Sequence, residues 1–339
     1  MMRLPWFRYV APRTIEEAAK VLAGEGPGAM LIAGGTDLVP NMKRRQQTPQ
    51  VLVALSRVEG MKSVANGSGL ALGGGVTLFE VIAAPQVRAN YRGLWQAASQ
   101  VATAQIRNMA TLGGNLCLDT RCLYYNQNHE WRKAIDFCMK RDGTTCWVAT
   151  ASKRCVAQSA TDCAPALLAL GAGVRLESAA GARDLPLADL YRNDGIDYLT
   201  RRPDEILTRI SLPDSTGWRS TYWKLRRRGS FDFPVLGVAA AARLAPDGTI
   251  EEARVALGAV SSMPFLTRAG EFLAGKKLTD EVVTEAARIV AGRAKPMDNT
   301  DFDVYWRKEV VSEFTRYALQ ELRGDDMQGV RMRIARRTL

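Results

Sequence analysis

The chain has 339 residues, 47% hydrophobic and 24% charged, the composition of an ordinary globular protein and a length that predicts two or three domains. No apolar run reaches the roughly 18 residues needed to span a bilayer. The start carries Arg3, Pro5 and Arg8 where a signal peptide would need an apolar core, so a cytoplasmic protein is expected. The formal charge of +11 is spread along the chain and is dense only at 224–228 and in the tail at 331–337, without interleaved aromatics. That pattern excludes nucleic acid as a partner and leaves an acidic protein or the phosphates of a nucleotide.

In chain order, residues 15–22 have helical periodicity behind Thr14, with Glu17 three positions on, a capping box. Residues 30–33 read as a short buried strand ending at Gly34-Gly35-Thr36-Asp37, a turn whose N–H groups can face an anion. Strands are expected at 51–55 and 70–76. Residues 87–104 are mostly helical with a break at Gly93, and they lead into a second glycine turn, Thr111-Leu112-Gly113-Gly114-Asn115. Beyond residue 160 the pattern predicts a helix or buried segment at 164–170 and strands at 173–177 and 204–212. Three further strands follow at 221–228, 233–244 and 252–260, then amphipathic helices at 278–293 and 303–322. The division that results is 1–55, 56–215 and 220–325, with no internal repeat.

Between Asn115 and Asp162 lie five of the six cysteines and the only histidine, His129. Without residues 120–158, the flanks would join as a short loop between the second glycine turn and a helix, so this stretch reads as an insert. Inside it Cys122, Cys138, Cys146 and Cys155 follow the spacing C-x15-C-x7-C-x8-C. Four thiolates suit an iron–sulfur cubane or a structural zinc, although the spacing matches neither the bacterial ferredoxin run nor paired C-x2-C knuckles. Four unrelated free cysteines remain an alternative. Cys117 and Cys163 read as small buried residues, and His129 as a surface side chain that could replace a thiolate.

Each glycine turn alone could be plain punctuation, but two in one domain point to a phosphate-bearing cofactor, with Asn108 adding a polar group beside the second. Lys224, Arg228 and Asp232 recur at intervals of four. They form either a solvated charged edge or a cation placed to stabilise a reduced flavin. One histidine cannot furnish a triad or a multi-histidine metal centre, so the chemistry is expected from a cofactor.

Three segments together, 33–38 (Ala33 to Leu38), 106–116 and 162–170, resemble the FAD-binding medium subunits of molybdenum hydroxylases, and 256–260 and 305–307 resemble that family's C-terminal domain. The resemblance implies an α+β fold: a two-subdomain FAD-binding domain of the PCMH type, then a three-stranded antiparallel sheet backed by helices. It implies that FAD is held by Ala33, Gly34, Gly35, Thr36, Asp37, Leu38, Asn108, Thr111, Gly113, Gly114 and Asn115. Asp162 would contact the flavin nucleotide, and Lys224 would lie near the isoalloxazine. The insert is similar to that of the 4-hydroxybenzoyl-CoA reductase β subunits, which implies a [4Fe-4S] cluster on Cys122, Cys138, Cys146 and Cys155.

By that likeness the chain relays electrons from a low-potential donor such as ferredoxin, by way of the cluster and FAD, towards partner subunits. Those would be a small subunit with two [2Fe-2S] clusters and a large molybdopterin subunit that removes a phenolic hydroxyl reductively, in an (αβγ)2 assembly. No catalytic residue for the substrate is expected here. The alternatives are the flavin subunit of another molybdenum dehydrogenase, acting on a heterocycle, steroid or aldehyde, and a flavin subunit whose insert holds zinc.

Overall fold

The computed structural model describes residues 3–336. The first unit runs β1 (Arg8–Val10), α1 (Ile15–Glu25), β2 (Ala29–Ile32), α2 (Leu38–Lys43) and β3 (Val51–Ala54), with a parallel sheet in the order β1-β3-β2. The central strand β3 is buried throughout, as a strand covered on both faces must be, and its Val-Leu-Val-Ala sequence fits that place. The expected capping box closes α1: Thr14 accepts from the Glu17 N–H while Glu17 reaches back to the Thr14 N–H.

The second unit begins with β4 (Val64–Asn66) and β5 (Leu70–Gly73) and continues with α3 (Leu78–Ala83), α4 (Pro85–Asn90), α5 (Arg92–Ser99), α6 (Ala104–Arg107), α7 (Leu112–Leu116), α8 (His129–Ala134) and α9 (Cys163–Ala169). It ends with β6 (Gly173–Ser178), β7 (Gly181–Pro186) and β8 (Ile206–Leu212). The five strands pair antiparallel in the order β4-β5-β8-β6-β7. All seven residues of α9 are buried, in a core shared with Leu72, Leu94, Leu112 and Ile210.

Two local expectations change here. β5 stops at Gly73 because Gly74 crosses another strand: a methyl group on it would lie 2.2 Å from the Leu207 carbonyl oxygen. The helical break falls at Tyr91, where φ is −127°, and not at Gly93. Gly93 lies inside α5 and packs against β9, its N–H donating to Ser220 Oγ at 2.9 Å.

The third unit comprises β9 (Trp218–Leu225), β10 (Leu236–Leu244), β11 (Ile250–Gly258), β12 (Phe265–Leu266), α10 (Ala269–Leu273), α11 (Asp280–Arg293), α12 (Val304–Arg323) and α13 (Gln328–Arg336). Its sheet has four strands, β12-β11-β10-β9, and not three. The additional strand is two residues long and pairs at Ala256↔Leu266 and Leu257↔Phe265, too short for an alternating pattern to register. Helices α11 and α12 cover one face of the sheet around Val238, Leu257, Val290 and Phe314.

The cysteine-bearing segment leaves and rejoins the second unit at a single bridge. The Arg121 N–H donates to the Gln158 carbonyl at 2.7 Å and the Gln158 N–H returns to the Arg121 carbonyl at 2.8 Å. Inside the bridge only α8 is regular, and the rest is turns, with Asp136, Phe137 and Asp142 at positive φ.

Candidate functional site: a glycine-walled cleft beside a cysteine pocket

The first glycine turn follows β2 and packs directly on the chain that enters the second. A methyl group on Gly34 would lie 1.8 Å from the Met109 carbonyl oxygen, so only glycine lets these backbones cross. Gly35 has φ 69°, a left-handed conformation that suits glycine. In the second turn Thr111 caps α7 through the Gly114 N–H at 3.1 Å. Gly113 packs on Gly74, whose carbonyl oxygen a methyl group would meet at 2.6 Å.

The two turns thereby form one wall of a cleft of about 810 Å³. Ala33, Gly34, Gly35, Thr36, Asp37, Leu38, Thr111, Gly113, Gly114, Asn115 and Asp162 all line it, together with Tyr198, Arg201, Arg228, Phe231, Asp232 and Phe233. Asn108 and Lys224 do not line it. Asn108 ends α6 as an exposed C-cap.

Asn115 is oriented by its neighbours. Its Oδ1 accepts from Thr161 Oγ1 at 2.7 Å and from the Cys163 N–H at 3.1 Å, which leaves the amide NH2 as its free donor. Asp162 stands at the start of α9 and accepts from Tyr222 Oη at 2.8 Å and Lys224 Nζ at 2.9 Å. Tyr222 and Lys224 alternate on one face of β9, and this holds Lys224 behind Asp162 with its ammonium also on the Gln100 carbonyl at 3.0 Å. Burial pushes the Asp162 carboxyl up and the Lys224 ammonium down, and their ion pair opposes both shifts. The cation that reaches the cleft from this region is Arg228, which is clamped by Asp232.

Sequence reasoning missed Arg121. It is 4% exposed, forms an ion pair with Asp37 of the first glycine turn, donates to Asn41 Oδ1 at 3.0 Å, and lies 4.8 Å from the Phe233 ring centre. Burial lowers its guanidinium to about 10. No local pattern could have joined it to Asp37, so far away in the chain. The only available signal was an arginine at the foot of the insert.

Cys122, Cys138, Cys146 and Cys155 line a second, narrow pocket with Tyr125, Met139 and Lys140. Each is between 5% and 8% exposed and none forms a disulfide. Among the described residues no three His, Cys, Asp or Glu side chains draw close enough to hold a single metal ion. Burial pushes the Cys122 thiol up to about 12 and the Cys155 thiol up to about 11, so without a metal both are protonated at neutral pH.

Two buried cations adjoin this pocket. Lys140 Nζ donates to Asp119 Oδ1 at 2.7 Å, Thr120 Oγ1 at 2.6 Å and the Gly195 carbonyl at 2.6 Å. Arg132, 1% exposed, interacts electrostatically with Cys138 and donates to the Arg44 carbonyl at 2.8 Å, while its Nε and Nη1 have no hydrogen-bond partner. His129 lies outside the pocket, against Glu130 and the Phe137 ring. Cys163 and Cys117 also stand apart from it, Cys163 in the core of the second unit and Cys117 packed against that core.

Residues 5–215 match the family described as FAD binding domain in molybdopterin dehydrogenase, and residues 220–322 match the CO dehydrogenase flavoprotein C-terminal domain. The chain belongs to this family: it is an FAD-binding, oxidoreductase subunit of the molybdenum hydroxylase class. Its relatives include an aldehyde oxidoreductase FAD-binding subunit of Escherichia coli (strain K12), 34% identical over 279 residues that cover 78% of this chain and 85% of the relative. The carbon monoxide dehydrogenase medium chain of Hydrogenophaga pseudoflava is 26% identical, covering 93% of this chain and 96% of its own. A solved carbon monoxide dehydrogenase from Hydrogenophaga pseudoflava superimposes with a TM-score of 0.78 over 94% of this chain and 98% of that one, at 24% identity, a likeness of fold.

Proposed function

We propose that this chain is the flavin and iron–sulfur subunit of a molybdenum-containing dehydrogenase. It would work beside a large molybdopterin subunit and a small subunit with two [2Fe-2S] clusters, in an (αβγ)2 assembly. The observation that carries the reading is the juncture at Arg121 and Cys122: Arg121 lines the glycine cleft and its chain neighbour Cys122 lines the cysteine pocket. Adjacent redox groups in those two places would be within electron-transfer reach of one another.

In the cleft, the backbone N–H groups of the two glycine turns and the Asn115 amide are suited to a diphosphate. Asp162, fixed by Tyr222 and Lys224, is suited to a hydroxyl or ring N–H of the nucleotide. Bound there, FAD would exchange electron pairs on one side for single electrons on the other. Arg121, held by Asp37 and Asn41, closes the cleft floor against the insert.

The cysteine pocket suits an anionic metal group, because four buried cysteines line it and Arg132, whose Nε and Nη1 make no hydrogen bond, adds positive charge near Cys138. A single zinc would draw four sulfurs to about 2.3 Å from one centre, whereas a [4Fe-4S] cubane gives each sulfur its own iron. Four cysteines lining one pocket are the donor set that such a cubane needs. Metal analysis tests this directly: four irons, four sulfides and one FAD per chain, with the iron lost in Cys138→Ser, agree with it, and one zinc refutes it.

The relatives include an aldehyde oxidoreductase FAD-binding subunit and a nicotinate dehydrogenase FAD-subunit. This favours oxidation of an aldehyde or heterocycle on the large subunit. The cysteine insert is the feature that favours a second reading, reductive dehydroxylation of 4-hydroxybenzoyl-CoA with electrons entering from ferredoxin. Assaying the assembled complex with aromatic aldehydes plus an oxidant, and with 4-hydroxybenzoyl-CoA plus a low-potential reductant, separates the two.

A further inference from the structure

Helix α13 lies beyond residue 322, where the matched family segment ends, and it folds back onto β9 and the loop that follows β9. The reversal is written in the sequence. Gly324 ends α12 at φ 115°, a left-handed position that suits glycine, and Asp326 accepts the Gln328 N–H at 2.9 Å at the start of the next helix. Met327, Val330 and Ile334, spaced along one helical face, pack on the core of the third unit.

Two contacts carry α13 towards the cleft. The first is Arg331, whose guanidinium lies over the Trp223 ring, donates to Thr221 Oγ1 at 2.9 Å and to the Tyr222 carbonyl at 3.2 Å, and forms an ion pair with Glu321. Tyr222 is the residue whose hydroxyl holds Asp162, so the helix grips β9 at the point from which the cleft carboxylate is set. The second is on the loop. A methyl group on Gly229 would lie 2.6 Å from the Ala335 carbonyl oxygen, an approach that only glycine permits. On its other side the loop is tied to the second unit, where the Phe231 N–H donates to the Ala102 carbonyl at 3.1 Å. Phe231 has φ 72° and Ala102 φ 44°, strained positions that persist only where the surroundings hold them. Arg228, Phe231, Asp232 and Phe233 of this loop line the cleft, whereas no residue of α13 does. The helix stands behind the lining.

We propose that α13 is a strap that positions the 228–233 loop and the Tyr222–Asp162 pair, and so sets how tightly the cleft holds its flavin. The proposal rests on the flavin reading of the cleft above and adds a determinant of retention that lies outside it. Arg331 is a positioning residue: it acts on the cleft through Tyr222 and never touches the cofactor.

The test uses the holoprotein and follows FAD release as the rise in flavin fluorescence after dilution. A chain ending at Gly324 should release FAD about tenfold faster or more than wild type, and the full chain carrying Arg331→Met should do so by a smaller factor. Arg331→Lys, which keeps a cation over Trp223, should recover part of the difference. Val290→Ala, a change in the core of the third unit away from the cleft, should lower the melting temperature yet leave release within about twofold of wild type. Gly229→Ala should speed release in the full chain and add less than about twofold in the chain ending at Gly324, because the group it collides with is then gone. Unchanged release in the shortened chain or in Arg331→Met overturns the strap, as does an equal rise with Val290→Ala or an equal effect of Gly229→Ala in both chains. Gly34→Ala protein that holds FAD as wild type does refutes the flavin reading of the cleft instead.

Discussion

The glycine cleft and the cysteine pocket adjoin one another at Arg121 and Cys122, yet they are built by opposite means. The cleft is made of backbone: Gly34 against Met109, Gly113 against Gly74 and Gly74 against Leu207 are crossings at which any side chain would collide. The pocket is made of side chains on an irregular scaffold, with one short helix, three non-glycine residues at positive φ and two buried cations as fixings. A cavity set by main-chain packing has its shape once the sheets form. One set by thiols and side-chain anchors takes much of its order from what it binds.

If that contrast holds, the two regions can be damaged separately. The largest effect is expected from Cys138→Ser, which should remove the metal while leaving flavin content close to wild type, read from iron analysis and the flavin spectrum. Parallel loss of FAD would break the comparison. Gly34→Ala is the reciprocal change: the main chain must shift to relieve a 1.8 Å contact, at a cost of about 3 kcal/mol. Flavin per chain should fall severalfold and the melting temperature should drop, with the iron retained.

Lys140→Met leaves Asp119 buried without its cation, a loss of about 3 kcal/mol that should be felt first in the insert. Limited proteolysis should then cut within residues 122–157 before the sheets, whereas even loosening of the whole chain would argue against a separately anchored insert. The smallest effect concerns Glu205, buried beside Arg183. Burial raises its carboxyl, but Arg183 and the Arg202 N–H outweigh this and leave it below its ordinary value of 4.5. A lowered carboxyl contributes stability that is present above pH 4.5 and is lost as pH falls through the folded-state value. Glu205→Gln should therefore flatten the acid limb of the stability profile and leave flavin content unchanged, checked by thermal melts between pH 3 and 7 and by the flavin spectrum.

Much of this was readable from the chain because the signals are local. The Thr14–Glu17 box, the two glycine turns and the cluster of cysteines each lie within a few residues or in one segment. What escaped depends on distant partners. The two-residue strand β12 exists only because β11 offers it an edge, and the break at Tyr91 reflects packing of Gly93 on Ser220. Lys224 was placed by interval on the cleft, but the alternation of β9 turns it towards α9. The sequence marked 331–337 only as a dense basic tail, yet Arg331 lies 3.9 Å from the Trp223 ring centre and forms an ion pair with Glu321. Only the fold reveals that this arginine is a packing element.

The ion pair between Asp162 and Lys224 joins residues on either side of the boundary between the two matched family segments. The glycine turns of the cleft thus belong to the first segment, while the groups that set its carboxylate, and the lining residues Arg228, Phe231, Asp232 and Phe233, belong to the second. During synthesis the chain emerges with the glycine turns complete and the carboxylate unfixed. If the cleft holds FAD as proposed, flavin capture would follow the docking of the C-terminal sheet, and a chain ending before β9 should not retain the cofactor.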